Sequence, residues 1–191
     1  MGARPHGFTL IETLIAMAVL AILMTSGVPM YTQWIQNSQI RTAAESITNG
    51  LQVARNEAVR TSQQVRFEVT DPGSSGWRIC AWDVVNDACL GAPIQERSAA
   101  EGGQNARLGG ALVDAGNYVT ALGAGAGLPA GVTFNAFGRS ANPGFDLRRI
   151  DVRNPLLSAA DERRLVILVS VGGQVRMCDP MHSRATNAQG C

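Results

Sequence analysis

The feature that most constrains this chain is the apolar run near its amino terminus. Residues 8–31 read FTLIETLIAMAVLAILMTSGVPMY, 24 mostly apolar residues interrupted by a single charge, Glu12. At about 1.5 Å per residue, a helix of this length covers about 36 Å, enough for a bilayer core of about 30 Å. Before it stands only MGARPHG. A secretory signal peptide carries its small-residue cleavage site after the apolar stretch. Here the small residue, Gly7, precedes the stretch. A cut at Gly7 leaves the apolar helix on the mature chain. Arg4 and the initial amine form a positive flank, which predicts a cytoplasmic amino terminus.

Glu12 is the odd residue in this run. A carboxylate at a helix centre in lipid costs about 2.5–3.5 kcal/mol. Glu12 lies about one turn from the start, where the cost is lower, but it still calls for a partner. In a packed bundle of such helices the natural partner is the amine of Phe8 on a neighbouring chain, freed by the cut after Gly7. The alternative is that Glu12 rests in the headgroup layer. Further on, Pro29 removes a backbone donor and Gly27 weakens the helix beside it.

The segment Gly7-Phe8-Thr9-Leu10-Ile11-Glu12 resembles the prepilin peptidase site of type IV pilins and type II secretion pseudopilins. The resemblance implies cleavage between Gly7 and Phe8, N-methylation of Phe8, and a role for Glu12 in aligning subunits during assembly. It also places Pro29 where family members carry a helix-breaking proline that lets the segment melt in the filament. The implied partners are prepilin peptidase, other pilin or pseudopilin subunits and an inner-membrane assembly platform. The implied location is a single pass through the inner membrane with the head in the periplasm, and then a pilus or a periplasmic pseudopilus.

Beyond the apolar run, Ile40, Ala44, Ile47, Leu51, Ala54 and Ala58 form one stripe of a 3.6-residue period. Arg41, Glu45, Asn49, Gln52, Asn56 and Arg60 fall away from it, with Arg41 and Glu45 one turn apart. The pattern predicts a helix that packs against a globular head and ends near Thr61–Ser62. The period then becomes two. Val65, Phe67 and Val69 alternate with Arg66 and Glu68, and a turn at 71–76 leads to a second strand at 77–83, forming a hairpin. Residues 90–130 are rich in Gly and Ala, with short strands expected at 108–112 and 118–122. A strand running into a turn is expected over 132–139, and further strands at 146–153, at the apolar run 165–169, and at 175–178 after the Gly172-Gly173 turn. A polar tail, 179–191, follows.

These elements predict an α+β fold: a long amino-terminal helix packed on a carboxy-terminal antiparallel sheet, which is the type IV pilin fold. The order of Phe134-x-x-Phe137-Gly138, a late apolar strand and a Gly-Gly turn is similar to the GspH/FimT branch of the family. That branch includes FimT/FimU-like minor pilins and the minor pseudopilin H of type II secretion. The expected organisation is a leader at 1–7, a transmembrane and assembly helix at 8–31, an amphipathic continuation at 32–62, and a head at 63–191.

Four cysteines, Cys80, Cys89, Cys178 and Cys191, fit no zinc or thioredoxin-like spacing. An even number in an exported chain favours two disulfides. Local pairs, Cys80–Cys89 and Cys178–Cys191, are expected, although the sequence alone leaves the two other pairings open. Of two histidines, His6 goes with the leader and His182 has only Asp179 as a further nearby ligand, so no metal centre is expected. There is no phosphate loop, HExxH, GxSxG or obvious carboxylate dyad, and neither an enzyme nor a cofactor is expected.

All 16 basic residues are arginine, against 15 acids, so overall charge does not argue for nucleic acid. The family resemblance raises DNA as a partner, because some FimT-type minor pilins bind it through a Gly-Arg-x-Arg motif near the carboxy terminus. Here that stretch is Gly173-Gln174-Val175-Arg176, with one arginine replaced. The 134–191 region carries eight arginines against five acids, and Arg176 and Arg184 are the candidate DNA contacts. The competing reading is a solvated face with arginines paired to nearby acids. The leading expectation is a minor type IV pilin that helps start or support assembly near the pilus tip, with adhesion or DNA capture as further roles. The alternatives are pseudopilin H of a type II secretion system and a pilus-borne DNA receptor.

Overall fold

The structure is a computed structural model and describes residues 7–71, 73–101, 103–114 and 116–191, without the side chains of 25–27 and 29. Arg4, His6 and the rest of the leader up to residue 6 lie outside the described residues, as do Pro72 of the expected turn and the side chain of Pro29. The chain divides into two units, Met1–Ile35 and Gln36–Cys191. One helix, α1, Leu10–Thr61, contributes to both, and its backbone is helical through Pro29.

In the first unit most of the described apolar side chains of α1 are exposed. Leu10, Ile11, Leu14, Ile15, Met17, Leu20, Ile22 and Leu23 are all exposed. Among the described residues, no helix is long and apolar enough to cross a membrane. The 8–31 run includes four residues whose side chains are not described.

In the second unit, the predicted stripe of α1 is the core of the head. Ile40, Ala44, Ile47, Leu51, Ala54 and Ala58 are fully buried, with Ala43 beside them. Burying each large side chain contributes roughly 1.5–3 kcal/mol. The exposed Arg41–Glu45 pair, 2.8 Å apart on the opposite side, adds only a few tenths. Packing of the stripe therefore holds this part of the helix. Ser62 takes a left-handed backbone conformation and terminates it.

Among the described residues nine strands follow: β1 Val65–Val69, β2 Trp77–Asp83, β3 Ala88–Cys89, β4 Gln95–Arg97, β5 Arg107–Ala111, β6 Gly131–Phe134, β7 Arg149–Arg153, β8 Leu165–Val169 and β9 Val175–Cys178. The pairings between these strands are all antiparallel, but they build two sheets where the sequence suggests one. The first runs β3-β2-β1-β6, with β4 sharing the outer edge of β2; the second runs β5-β7-β8-β9. The β1–β2 hairpin places Phe67 opposite Ile79 and Glu68 opposite Arg78. The Phe67 and Trp77 rings meet at 5.5 Å, and the Trp77 indole N–H donates to Ser46 Oγ at 2.9 Å.

Two strand expectations are corrected. Residues 118–122 form no strand. The expected strand at 146–153 begins only at Arg149, because Asp146 is buried and folds the preceding turn around its carboxylate. It accepts from the Thr133 amide, the Asn142 amide and the Ser140 hydroxyl. Over 132–139 the strand runs into a turn as expected: β6 ends at Phe134, and Asn135 starts a turn closed by Gly138 N–H to its carbonyl.

Candidate functional site

The processing and assembly residues lie at the start of α1. Gly7, Phe8 and Thr9 precede the helix and are exposed. Thr9 caps it: its carbonyl accepts from the amides of Glu12 and Thr13, and its Oγ1 lies 3.4 Å from the Glu12 amide. Glu12 therefore sits in the first turn, where a carboxylate suits the helix dipole. Among the described residues its carboxylate has no ion-pair partner. A carboxylate with no ion-pair partner among the described residues, on an exposed apolar helix, is a group suited to a cation on another molecule.

Both local disulfides are present. Cys80–Cys89 joins β2 to β3, and Cys178–Cys191 ties the tail to the end of β9. The tail is further held by Asp179 N–H to the Gln189 carbonyl and Cys191 N–H to the Asp179 carbonyl. All four cysteines are thus committed. His182 Nε2 lies 3.8 Å from Asp179 in the same tail.

The arginines of the head divide into two groups that sequence counting merged. Arg149 and Arg164 are buried and both pair with Asp151, which is fully buried. Their remaining donors go to backbone carbonyls of Asn117, Tyr118, Val119 and Thr120. Arg149 also stacks over the Tyr118 ring at 5.5 Å. This is why residues 118–122 are not a strand: their carbonyls serve the guanidinium groups instead. Arg153 lies 3.6 Å from Glu162. These arginines are unavailable to a phosphate.

A different set converges. Arg148, Arg176 and Arg184 line one recess of about 340 Å³, together with Asp114 and Tyr118. Arg148 donates to the Val169 carbonyl at 2.7 Å, and Arg176 to the Gly190 carbonyl at 3.1 Å, so the tail that the disulfide closes also positions Arg176. The Tyr118 hydroxyl donates to Asp114 at 2.6 Å. Burial, then that hydrogen bond, pushes its pKa up to about 12. Arg148 was not singled out from the sequence, since only the β7 register and the folded tail bring it to this place.

The two sequence glycines of the family-like signature meet in space. Gly173 has φ +77°, and a Cβ there would lie 1.8 Å from the Gly138 carbonyl oxygen. Gly138 itself has φ +69°. The β8–β9 turn and the turn after β6 therefore touch through backbone alone.

Comparison with known proteins fits this geometry. The family model for type II transport protein GspH matches residues 43–173, and that for the prokaryotic N-terminal methylation motif matches residues 3–28. No curated protein matches the chain. Two solved structures of the type IV minor pilin FimU of Pseudomonas aeruginosa are similar in fold. One is 17% identical with a TM-score of 0.51, covering 75% of this chain and 90% of that one. The other is 18% identical with a TM-score of 0.49, covering 74% and 94%. The helix, the antiparallel head, the methylation motif and the match over most of the head lead to one conclusion: this chain belongs to the GspH family and has the fold of a type IV minor pilin.

Proposed function

We propose that this chain is a minor type IV pilin. It is made with the leader 1–7, cut between Gly7 and Phe8 by prepilin peptidase, and methylated at Phe8. Residues 8–31 hold it in the inner membrane in a single pass, with the amino terminus cytoplasmic and the head periplasmic. It then enters the filament near the tip through an assembly platform and supports the start of assembly, with the head displayed for adhesion or capture. Glu12 pairs with the Phe8 amine of a neighbouring subunit, and Pro29 lets the helix melt locally as subunits pack. The observation that carries this reading is the exposed apolar helix with one acid in its first turn that has no ion-pair partner among the described residues. Such a surface needs lipid or other helices around it. Mass spectrometry of the mature protein tests it. The expected product begins at methylated Phe8; an intact Met1, or a cut after residue 31, contradicts it.

The description of the matching family favours a second reading, a minor pseudopilin of a type II secretion system. Deleting the gene separates the two. Loss of surface pili with secretion intact supports the pilin, and the reverse result supports the pseudopilin.

The recess of Arg148, Arg176 and Arg184 favours a further role for the head, DNA contact through phosphates. The purified chain in detergent retards DNA in a mobility-shift assay at low salt, and changing Arg176 and Arg184 to Ala weakens this uniformly across sequences. Absence of a shift, or no effect of the substitutions, removes this role.

A further inference from the structure

Each sheet of the head ends in edges, and an unpaired edge strand is a template for another chain. Among the described residues, three of these edges are closed or too short to use. β6 is covered by its own following loop, through Ala141 N–H to the Thr133 carbonyl and Leu147 N–H to the Gly131 carbonyl. β5 is covered by Gly110 N–H to the Ala126 carbonyl and Gly125 N–H to the Leu108 carbonyl. On the outer side of β2 stand only β3 and β4, two and three residues long.

β9 differs. Ser170 N–H donates to the Gln174 carbonyl, and the register pairs Leu168 with Arg176 and Val166 with Cys178. Antiparallel pairs alternate between bonded and non-bonded. Residues 174, 176 and 178 therefore bond to β8, while the N–H and C=O groups of Val175 and Met177 point away from the sheet. Neither residue has any other backbone or side-chain partner among the described residues. The strand has no proline or bulge to blunt this edge.

The edge also faces a built groove. Between α1 and β9 lie two recesses, one of about 470 Å³ lined by Gln52, Arg55, Asn56 and residues 173–176. The other, about 390 Å³, is lined by Asn37, Arg41, Arg163, Met177 and Asp179 among others. Residues 37, 41, 52 and 56 fall on one stripe of the helix, so both recesses flank the same strand edge. Arg55, Arg163 and Arg176 have no carboxylate within ion-pairing distance among the described residues; Arg41 is held by Glu45, and Asp179 is the one acid in the lining. The groove thus offers two backbone donors, two backbone acceptors and an excess of guanidinium groups.

We propose that the edge of β9 is a docking site for an extended, acidic segment of a partner chain, which adds to the second sheet as a fifth strand. Backbone pairing with Val175 and Met177 supplies affinity and the flanking arginines select carboxylate side chains. This does not depend on the filament reading or on DNA contact.

The test uses the full chain in detergent micelles and residue-resolved amide exchange. The probe is a blocked octapeptide of alternating Val and Glu, with the Val/Lys peptide as control. In the chain alone, Val175 and Met177 amides exchange fast while Arg176 and Cys178 are protected. The Val/Glu peptide protects Val175 and Met177, and the Val/Lys peptide needs about tenfold more to do so, which corresponds to about 1.4 kcal/mol. The Arg55→Glu, Arg163→Glu double variant loses the peptide effect but keeps Arg176 and Cys178 protected, which shows that β9 remains folded. Three results overturn the proposal: no protection of Val175 and Met177, equal protection by the Lys peptide, or protection that grows with the chain's own concentration, which assigns the edge to a second copy.

Discussion

Asp151 lies in the middle of β7, fully buried, with Arg149 reaching both of its carboxylate oxygens and Arg164 one of them. The Leu122 amide donates to the same carboxylate at 3.0 Å. Replacing one partner of a buried pair leaves the other charges uncompensated, which costs about 3–5 kcal/mol. Asp151→Ala is expected to lose about that much stability in urea unfolding and to free the 117–122 loop, visible as new proteolytic cleavage there. None of this was legible in the sequence. Arg-Ile-Asp-Val-Arg reads as a half-exposed strand, and only a loop from 29 residues away turns its charges inward. Tyr118 gives a second test at this scale. Its hydroxyl is held up to about 12 against an ordinary value of 10.0, so the folded chain binds that proton more tightly than the unfolded one. Its contribution to stability is full below about pH 10 and disappears as pH rises towards 12. A phenolate absorbance titration should show one late step in the folded chain, absent in Tyr118→Phe.

At the scale of elements, α1 was the most legible part, because a 3.6-residue stripe is a local signal that needs no knowledge of partners. The β1–β2 hairpin was legible for the same reason, with its period of two and its turn residues. β3 and β4 were not, since strands of two and three residues are too short to show a period. The split into two sheets was hidden as well, because it depends on which distant strands pair. Gly50 shows packing overruling local preference. Glycine inside a helix costs about 1 kcal/mol relative to alanine. A Cβ at this position would lie 2.9 Å from Phe67 and 3.1 Å from Trp77, both fixed in the core. Overpacking costs about 1–3 kcal/mol. Gly50→Ala should therefore destabilise the head by about 1 kcal/mol in urea unfolding, despite the better helix former; a gain in stability would show that the rings yield freely.

At the scale of the whole molecule, the two units solve opposite problems. The head buries its own apolar surface around one face of α1, and its disulfides close the β2–β3 connection and the tail. The first unit leaves most of its described apolar side chains exposed, and among the described residues its one acid has no ion-pair partner, which the proposed function answers with lipids or neighbouring helices. The candidate assembly site was readable from sequence because it is contiguous: Gly7, Phe8 and Glu12 lie within six residues. The arginine recess and the β9 edge were not, because both are assembled from segments far apart in the chain. The most direct measurement is the amount of this chain in filaments sheared from cells, compared between wild type and Glu12→Ala at equal expression. The variant is expected to be still cut at Phe8 but to stay in the membrane fraction, with its filament content reduced at least tenfold, the equivalent of about 1.4 kcal/mol. Undiminished entry of Glu12→Ala into filaments would contradict it.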